Sequence, residues 1–143
     1  MSLKKNKIGI LGGTFDPAHK GHLTISKEAV KRFMLKEVIW AITKKNPFKR
    51  KSNTNLTIRI KNCKKIIGNK KYIKVCFYED IIKSNRTINL INFFYKKKKS
   101  EIYFLMGAEN LVNFHKWHKW KTISQKCNII VFDSHGYKKK SLN

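Results

Sequence analysis

An open, mostly parallel α/β sheet flanked by helices, of the Rossmann-like kind, is the fold class this sequence predicts. Short apolar runs alternate with helically spaced apolar positions along the whole chain. Val38-Ile39-Trp40-Ala41-Ile42 is apolar at every position, as expected of a strand covered on both faces of a parallel sheet. Glycine-rich or polar segments follow the predicted strands, at the carboxyl edge where such sheets bind ligands. With 143 residues and 41% hydrophobic side chains, the chain suits one domain with a real core.

The elements follow in order. Residues 7–11 read as a buried strand, and a helix is expected from about Gly21 to Met34, with Leu23, Ser26, Val30 and Phe33 on one side. Residues 38–42 form the second strand. A polar, basic loop spans 43–55 around Asn46-Pro47-Phe48-Lys49. Leu56, Ile60, Cys63 and Ile67 then recur at helical spacing, and Gly68-Asn69 ends that helix. Tyr72 to Phe77 is the third strand. A loop through 79–86 leads into a helix carrying Ile88, Ile91 and Phe94 on one face, with Lys96 to Lys99 at its carboxyl end. Ile102 to Met106 is the fourth strand, closed by Gly107-Ala108. A short helical turn, an aromatic stretch from Phe114 to Trp120, and a strand at 128–132 complete the series. No internal repeat or linker divides it.

Thirty-three Lys and Arg face only 8 Asp and Glu, a formal net charge of +25. Such a balance raises the question of nucleic acid. The lysines are spread over the whole length, however, and the chain is also rich in Asn and Ile. The charge therefore reads as codon bias rather than a nucleic-acid surface, although it would still draw anionic substrates. Cys63, Cys76 and Cys127 form no Cys-x-x-Cys pair and read as small buried thiols in a reducing compartment. No apolar run reaches the length of a membrane span, and Gly12 to Asp16 interrupts the one that follows Lys4, Lys5 and Lys7. No membrane partner and a cytoplasmic location are expected.

The most telling stretch is Gly12-Gly13-Thr14-Phe15-Asp16-Pro17-Ala18-His19-Lys20-Gly21-His22, between the first strand and the first helix. Glycines let a backbone approach an anion closely. A helix N-terminus offers unpaired N–H groups and a positive dipole end. Histidines three residues apart share one face. Together these point to the phosphates of a nucleoside triphosphate. A chance glycine turn with two helix-start histidines would need several independent positions to coincide. Asp16, before Pro17, suits a cap or turn residue as well as a substrate contact. His115 and His118 have the spacing of a metal pair, but no third ligand is evident, so no metal site is expected. Arg59, on a helix, reads as a surface or packing residue, and Trp120 as core.

The pattern Gly-x-Phe-Asp-x-x-His-x-Gly-His resembles the signature of the HxGH nucleotidyltransferase superfamily. Asn46-Pro47-Phe48-Lys49 and Met106-Gly107-Ala108-Glu109-Asn110-Leu111, followed by Phe114-His115-Lys116-Trp117-His118-Lys119-Trp120, narrow the resemblance to the bacterial nicotinate-nucleotide adenylyltransferases. It runs from about Lys7 to Tyr137. The resemblance implies a Rossmann-like sheet of the nucleotidyltransferase type, and adenylyl transfer from ATP to nicotinate mononucleotide, giving deamido-NAD and pyrophosphate by direct in-line attack. It also implies Mg²⁺ carried with ATP. By the same resemblance, Gly12, Gly13, Thr14 and Phe15 would line the phosphate-binding turn, and His19 and His22 would be the catalytic pair on the ATP phosphates. Gly107 and Glu109 would lie near the adenosine. Asp16, Lys49, Thr87 and Trp117 would face the second substrate, Lys49 on phosphate, Thr87 near the nicotinate carboxylate and Trp117 stacked on the pyridine ring. A protonated histidine would add charge where pyrophosphate leaves.

The chain departs from the family pattern at Glu109, where the family has Asp, and at Arg86 and Leu90, in place of its Tyr and second Thr. Ser134-His135-Gly136 stands for Arg-Pro-Gly, and the later Ser-Ser-Thr-x-x-Arg motif is absent. The resemblance thus implies a single nucleotidyltransferase domain over residues 1–137, incomplete at its C-terminal side, and a basic tail over 138–143. The competing expectations are an adenylyltransferase acting on another phosphorylated acceptor such as nicotinamide mononucleotide, an inactive truncated nucleotide-binding remnant, and a basic nucleic-acid-binding protein.

Overall fold

The computed structural model describes residues 6–44, 55–98 and 100–133. Five strands form one parallel sheet: β1 (Lys7–Gly13), β2 (Glu37–Ile42), β3 (Ile73–Cys76), β4 (Glu101–Gly107) and β5 (Asn128–Phe132). Their order across the sheet is β3-β2-β1-β4-β5. The chain therefore runs outward from β1 through β2 to β3, then returns to lay β4 on the other side of β1. That reversal is the switch point at which ligands bind in sheets of this kind. Ile10 pairs in register with Ile39 on one side and Phe104 on the other.

Alternation along the strands sends side chains to two cores. Leu11, Val38, Trp40, Ile42 and Leu105 meet the helices α1 (Lys20–Phe33) and α2 (Leu56–Ile67) on one face. Ile8, Ile10, Ile39, Ile102 and Phe104 meet α4 (Thr87–Lys98) and α6 (Trp120–Lys126) on the other. Burial on both faces accounts for the unbroken apolar run of β2, all of whose residues are buried. Asn55 caps α2, its side-chain oxygen accepting from the Ile58 N–H at 2.9 Å. Gly68, at φ +60°, ends that helix in a conformation that suits glycine.

The structure adds two helices to the expected elements. The stretch after β3, expected as loop, contains a one-turn helix α3 (Glu79–Ile82), and the aromatic stretch continues into α6. The short helical turn expected after β4 is α5 (Ala108–Leu111), and a 3₁₀ turn at Phe114–Lys116 lies between it and α6. Gly12 and Gly13 belong to the end of β1 rather than to a turn, and Phe15 is the residue that takes the left-handed conformation, at φ 51°. Its ring is buried against Trp40, centroids 5.0 Å apart and 15° from parallel. That burial offsets the roughly 1–2 kcal/mol that such a conformation costs an L residue.

One buried polar relay ties α1 to the sheet. The Trp40 indole N–H donates to Ser26 Oγ at 2.8 Å, and the Ser26 hydroxyl donates to the His22 carbonyl at 2.8 Å. Trp40 and Ser26 are both wholly buried, so each polar group depends on the other for a partner. Ser26→Ala strands the indole N–H and is expected to cost about 1–3 kcal/mol of stability, read by urea or thermal unfolding. Unaltered stability would show that the relay carries no weight.

Candidate active site

The carboxyl ends of β1 and β4 open into a cavity of about 740 Å³, within the range that takes a small-molecule substrate. Gly12, Gly13, Thr14, Phe15, Asp16, His19 and His22 line it from the β1–α1 side. Thr87, Glu109 and Trp117 line it from the β4 side. Four separate stretches of sequence thus converge on one space. Gly107 is not among the lining residues, although Met106 and Glu109 on either side of it are. Lys49 falls outside the described residues, as do Asn46, Pro47 and Phe48.

The two histidines begin α1. His19 is its N-cap, and its Nδ1 accepts from the Gly21 N–H at 3.0 Å. Three residues on, His22 Nδ1 accepts from the His19 N–H at 3.0 Å. This is a capping box made from imidazoles in place of the usual hydroxyl and carboxyl groups. A backbone N–H can only donate, so each Nδ1 must be unprotonated. Each neutral ring then carries its proton on Nε2, as a donor. The rings stack on each other at 3.9 Å between centroids, and His22 lies 4.6 Å from the Phe15 ring. Trp40, Phe15, His22 and His19 therefore form a column from the core to the cavity. Burial and the neighbouring His19 lower the pKa of His22 to about 3. The expected protonated histidine is thus corrected for His22, which is neutral at pH 7, and the ring acts as an N–H donor rather than a cation.

The other walls have equally local causes. Gly107 caps α5, and the Glu109 carboxylate folds back over it. A Cβ at Gly107 would sit 2.6 Å from Glu109 Oε2, so glycine is what lets the longer acid lie there. Trp117 packs edge-on against Phe104 and Phe114, with centroids 5.8 and 5.3 Å away. It stays half-buried, part of its ring left to the cavity. Phe114 also holds Trp120 at 5.9 Å, on the core side as expected. A recess of about 50 Å³ adjoins the main cavity. It shares Gly12, Thr43, Arg86 and Thr87 with the cavity, and Glu79 and Leu90 close its far side. Glu79 accepts from the Lys44 N–H through Oε1 at 3.2 Å, and burial raises its pKa.

One feature escaped the sequence. Arg59 is buried, 2% exposed, and its guanidinium donates to backbone carbonyls beside the site. The signal was present: Arg59 stands three residues after Leu56 and four before Cys63, on the same helical face as that apolar series. Arg86 lines both the recess and the cavity, exposed at the start of α4. No group of three His, Cys, Asp or Glu side chains suited to a metal gathers among the described residues, and no helix among them is long and apolar enough to cross a membrane.

Comparison with known proteins agrees with this geometry. The cytidylyltransferase-like family pattern matches residues 10–141. A Pelagibacter ubique protein named "Probable nicotinate-nucleotide adenylyltransferase" is 66% identical over 142 residues, covering 99% of this chain and 79% of that one. A Nitratiruptor protein of the same name is 36% identical over 135 residues, covering 92% and 76%. Among solved structures, a Plasmodium falciparum nicotinic acid mononucleotide adenylyltransferase complexed with NaAD shares the fold. Its TM-score is 0.72 at 17% identity, over 90% of this chain and 75% of that one. By sequence and by fold, the chain belongs to the cytidylyltransferase-like family, within the group of nicotinate-nucleotide adenylyltransferases.

Proposed function

We propose that this protein transfers the adenylyl group of ATP, taken as its Mg²⁺ complex, to the phosphate of nicotinate mononucleotide, forming deamido-NAD and pyrophosphate in NAD biosynthesis. The observation that carries this is the pair of stacked, Nε2-protonated imidazoles at the start of α1, beside a cavity shared with Glu109 and Trp117. An oxygen of the acceptor phosphate attacks the α-phosphorus of ATP. The new P–O bond forms as the bond to the bridging α–β oxygen breaks, and its electron pair leaves with pyrophosphate. The acceptor supplies the nucleophile, so no covalent enzyme intermediate is needed. The protein's work is to align two anions and to offset charge that grows in the transition state.

His19 and His22 do this through Nε2–H on the phosphate oxygens, with their Nδ1 atoms already held by backbone donors. Because the donors are fixed before substrate arrives, little reorganisation accompanies reaction. Gly12 and Gly13 bring bare backbone beside the phosphates, and Thr14 and Phe15 continue that wall. Gly107 and Glu109 serve the adenosine, the Glu109 carboxylate meeting the ribose. Thr87, at the start of α4, and Trp117, its ring half-buried at the cavity, serve the nicotinate end. Asp16 and Lys49 serve the acceptor, Lys49 on its phosphate. Mg²⁺ enters with the triphosphate as part of the substrate and neutralises its oxygens. The protein works in the cytoplasm, where its free cysteines stay reduced.

The test is pyrophosphate release from ATP and Mg²⁺ with and without nicotinate mononucleotide. Release should depend on the acceptor and yield deamido-NAD in equal amount. Equal release with and without acceptor, or preference for the nicotinamide compound, would count against the assignment. His22→Ala removes one fixed donor and should lower kcat by about 10²-fold or more while the protein stays folded. Turnover at the unsubstituted rate would contradict the donor role. Trp117→Ala should raise KM for the acceptor by about tenfold, as loss of ring stacking does, and leave KM for ATP unchanged. The opposite pattern would remove Trp117 from the nicotinate end.

A further inference from the structure

Arg59 lines neither the cavity nor its recess, yet it joins the two backbone segments that border them. Its Nη1 donates to the carbonyls of Thr14 and Thr43, and its Nη2 to that of Lys44, each at 2.8 Å. Thr14 belongs to the connection between β1 and α1. Thr43 and Lys44 follow the end of β2. Lys44 is gripped from both ends of its backbone. Its carbonyl accepts from Arg59, and its N–H donates to Glu79.

Burying a guanidinium carries a large desolvation cost, and an apolar side chain of similar volume would fill the same space without it. What only the guanidinium supplies is a rigid planar fork that holds several acceptors at set spacings. Those acceptors lie on two segments that both reach the cavity wall, through Thr14 and Thr43. We propose that Arg59 is a positioning residue for adenylyl transfer: by bridging Thr14 to Thr43 and Lys44, it fixes the β1–α1 connection against the segment that follows β2. The alignment of the two reacting phosphates then depends on a residue that touches neither. This rests on the activity assigned above, and its test includes a measurement that does not.

Arg59→Lys keeps the positive charge and loses the fork. Hydrogen–deuterium exchange should rise by about tenfold or more in peptides spanning Leu11 to Ala18 and Ala41 to Lys44, with β4 and α4 unchanged, since local opening follows local contacts. In steady-state kinetics kcat should fall by about 10²-fold, while KM for ATP and for nicotinate mononucleotide stays within about threefold. Unchanged exchange in those two segments would overturn the proposal, as would an unaltered kcat in an active enzyme. A uniform rise in exchange over the whole sheet would also overturn it, by showing a merely stabilising role. If the unsubstituted protein releases no pyrophosphate, the assigned activity fails, and the exchange pattern alone decides the role of Arg59. Should Arg59→Lys not fold, Glu79→Ala frees the other end of Lys44. It should raise exchange at Ala41 to Lys44 and lower kcat by about tenfold, and no change in either would refute the clamp.

Discussion

Two backbone N–H groups donating to imidazole nitrogens hold this site in its working form. The bonds from Gly21 to His19 and from His19 to His22 serve the helix and the chemistry at once. For the helix, they satisfy donors that its first turn would otherwise leave unpaired. For the chemistry, they choose the tautomer and set both rings. A lysine or arginine in the same place would bring charge, but it could not cap the helix in this way, having no acceptor. The two roles explain why the pair sits three residues apart, straddling the helix start.

The rest of the structure supports those bonds from below and from the side. Trp40, fixed in β2, carries Phe15, and Phe15 carries His22. Ser26 links the same indole to the His22 carbonyl. From the side, Arg59 ties Thr14 to the end of β2. Each contact joins an element of one core to the mouth of the cavity, so packing on the sheet face is converted into placement of polar groups. Burial has a second effect. It keeps His22 neutral, so that in the proposed reaction the ring would offer an anionic transition state a fixed dipole rather than a full charge.

Much of this was legible in the residues. The two-sided burial of β2 shows in its unbroken apolar run, and the parallel order follows from strands alternating with helices. The edge at which the site opens follows from the placement of glycines at the ends of β1 and β4. What was not legible depends on side chains meeting across the fold. α3 has four residues and no apolar period to announce it. Gly12 and Gly13 resembled a turn because glycine permits one, but pairing with Ala41 and Ile42 keeps them extended. The protonation of His22 hinges on Phe15 and Trp40, which only the folded chain brings near. Arg59 stood on an apolar helical face, yet its three carbonyl partners lie 15 to 45 positions away in sequence.

The most direct test of the central claim is nitrogen-15 NMR of the histidine side chains in the folded protein, followed through a pH titration. The structure predicts that His22 carries its proton on Nε2, with Nδ1 bare, and shows no protonation between about pH 5 and 8, because its pKa lies near 3. A His22 that titrates near the ordinary value of about 6.5, or that carries its proton on Nδ1, would contradict the account.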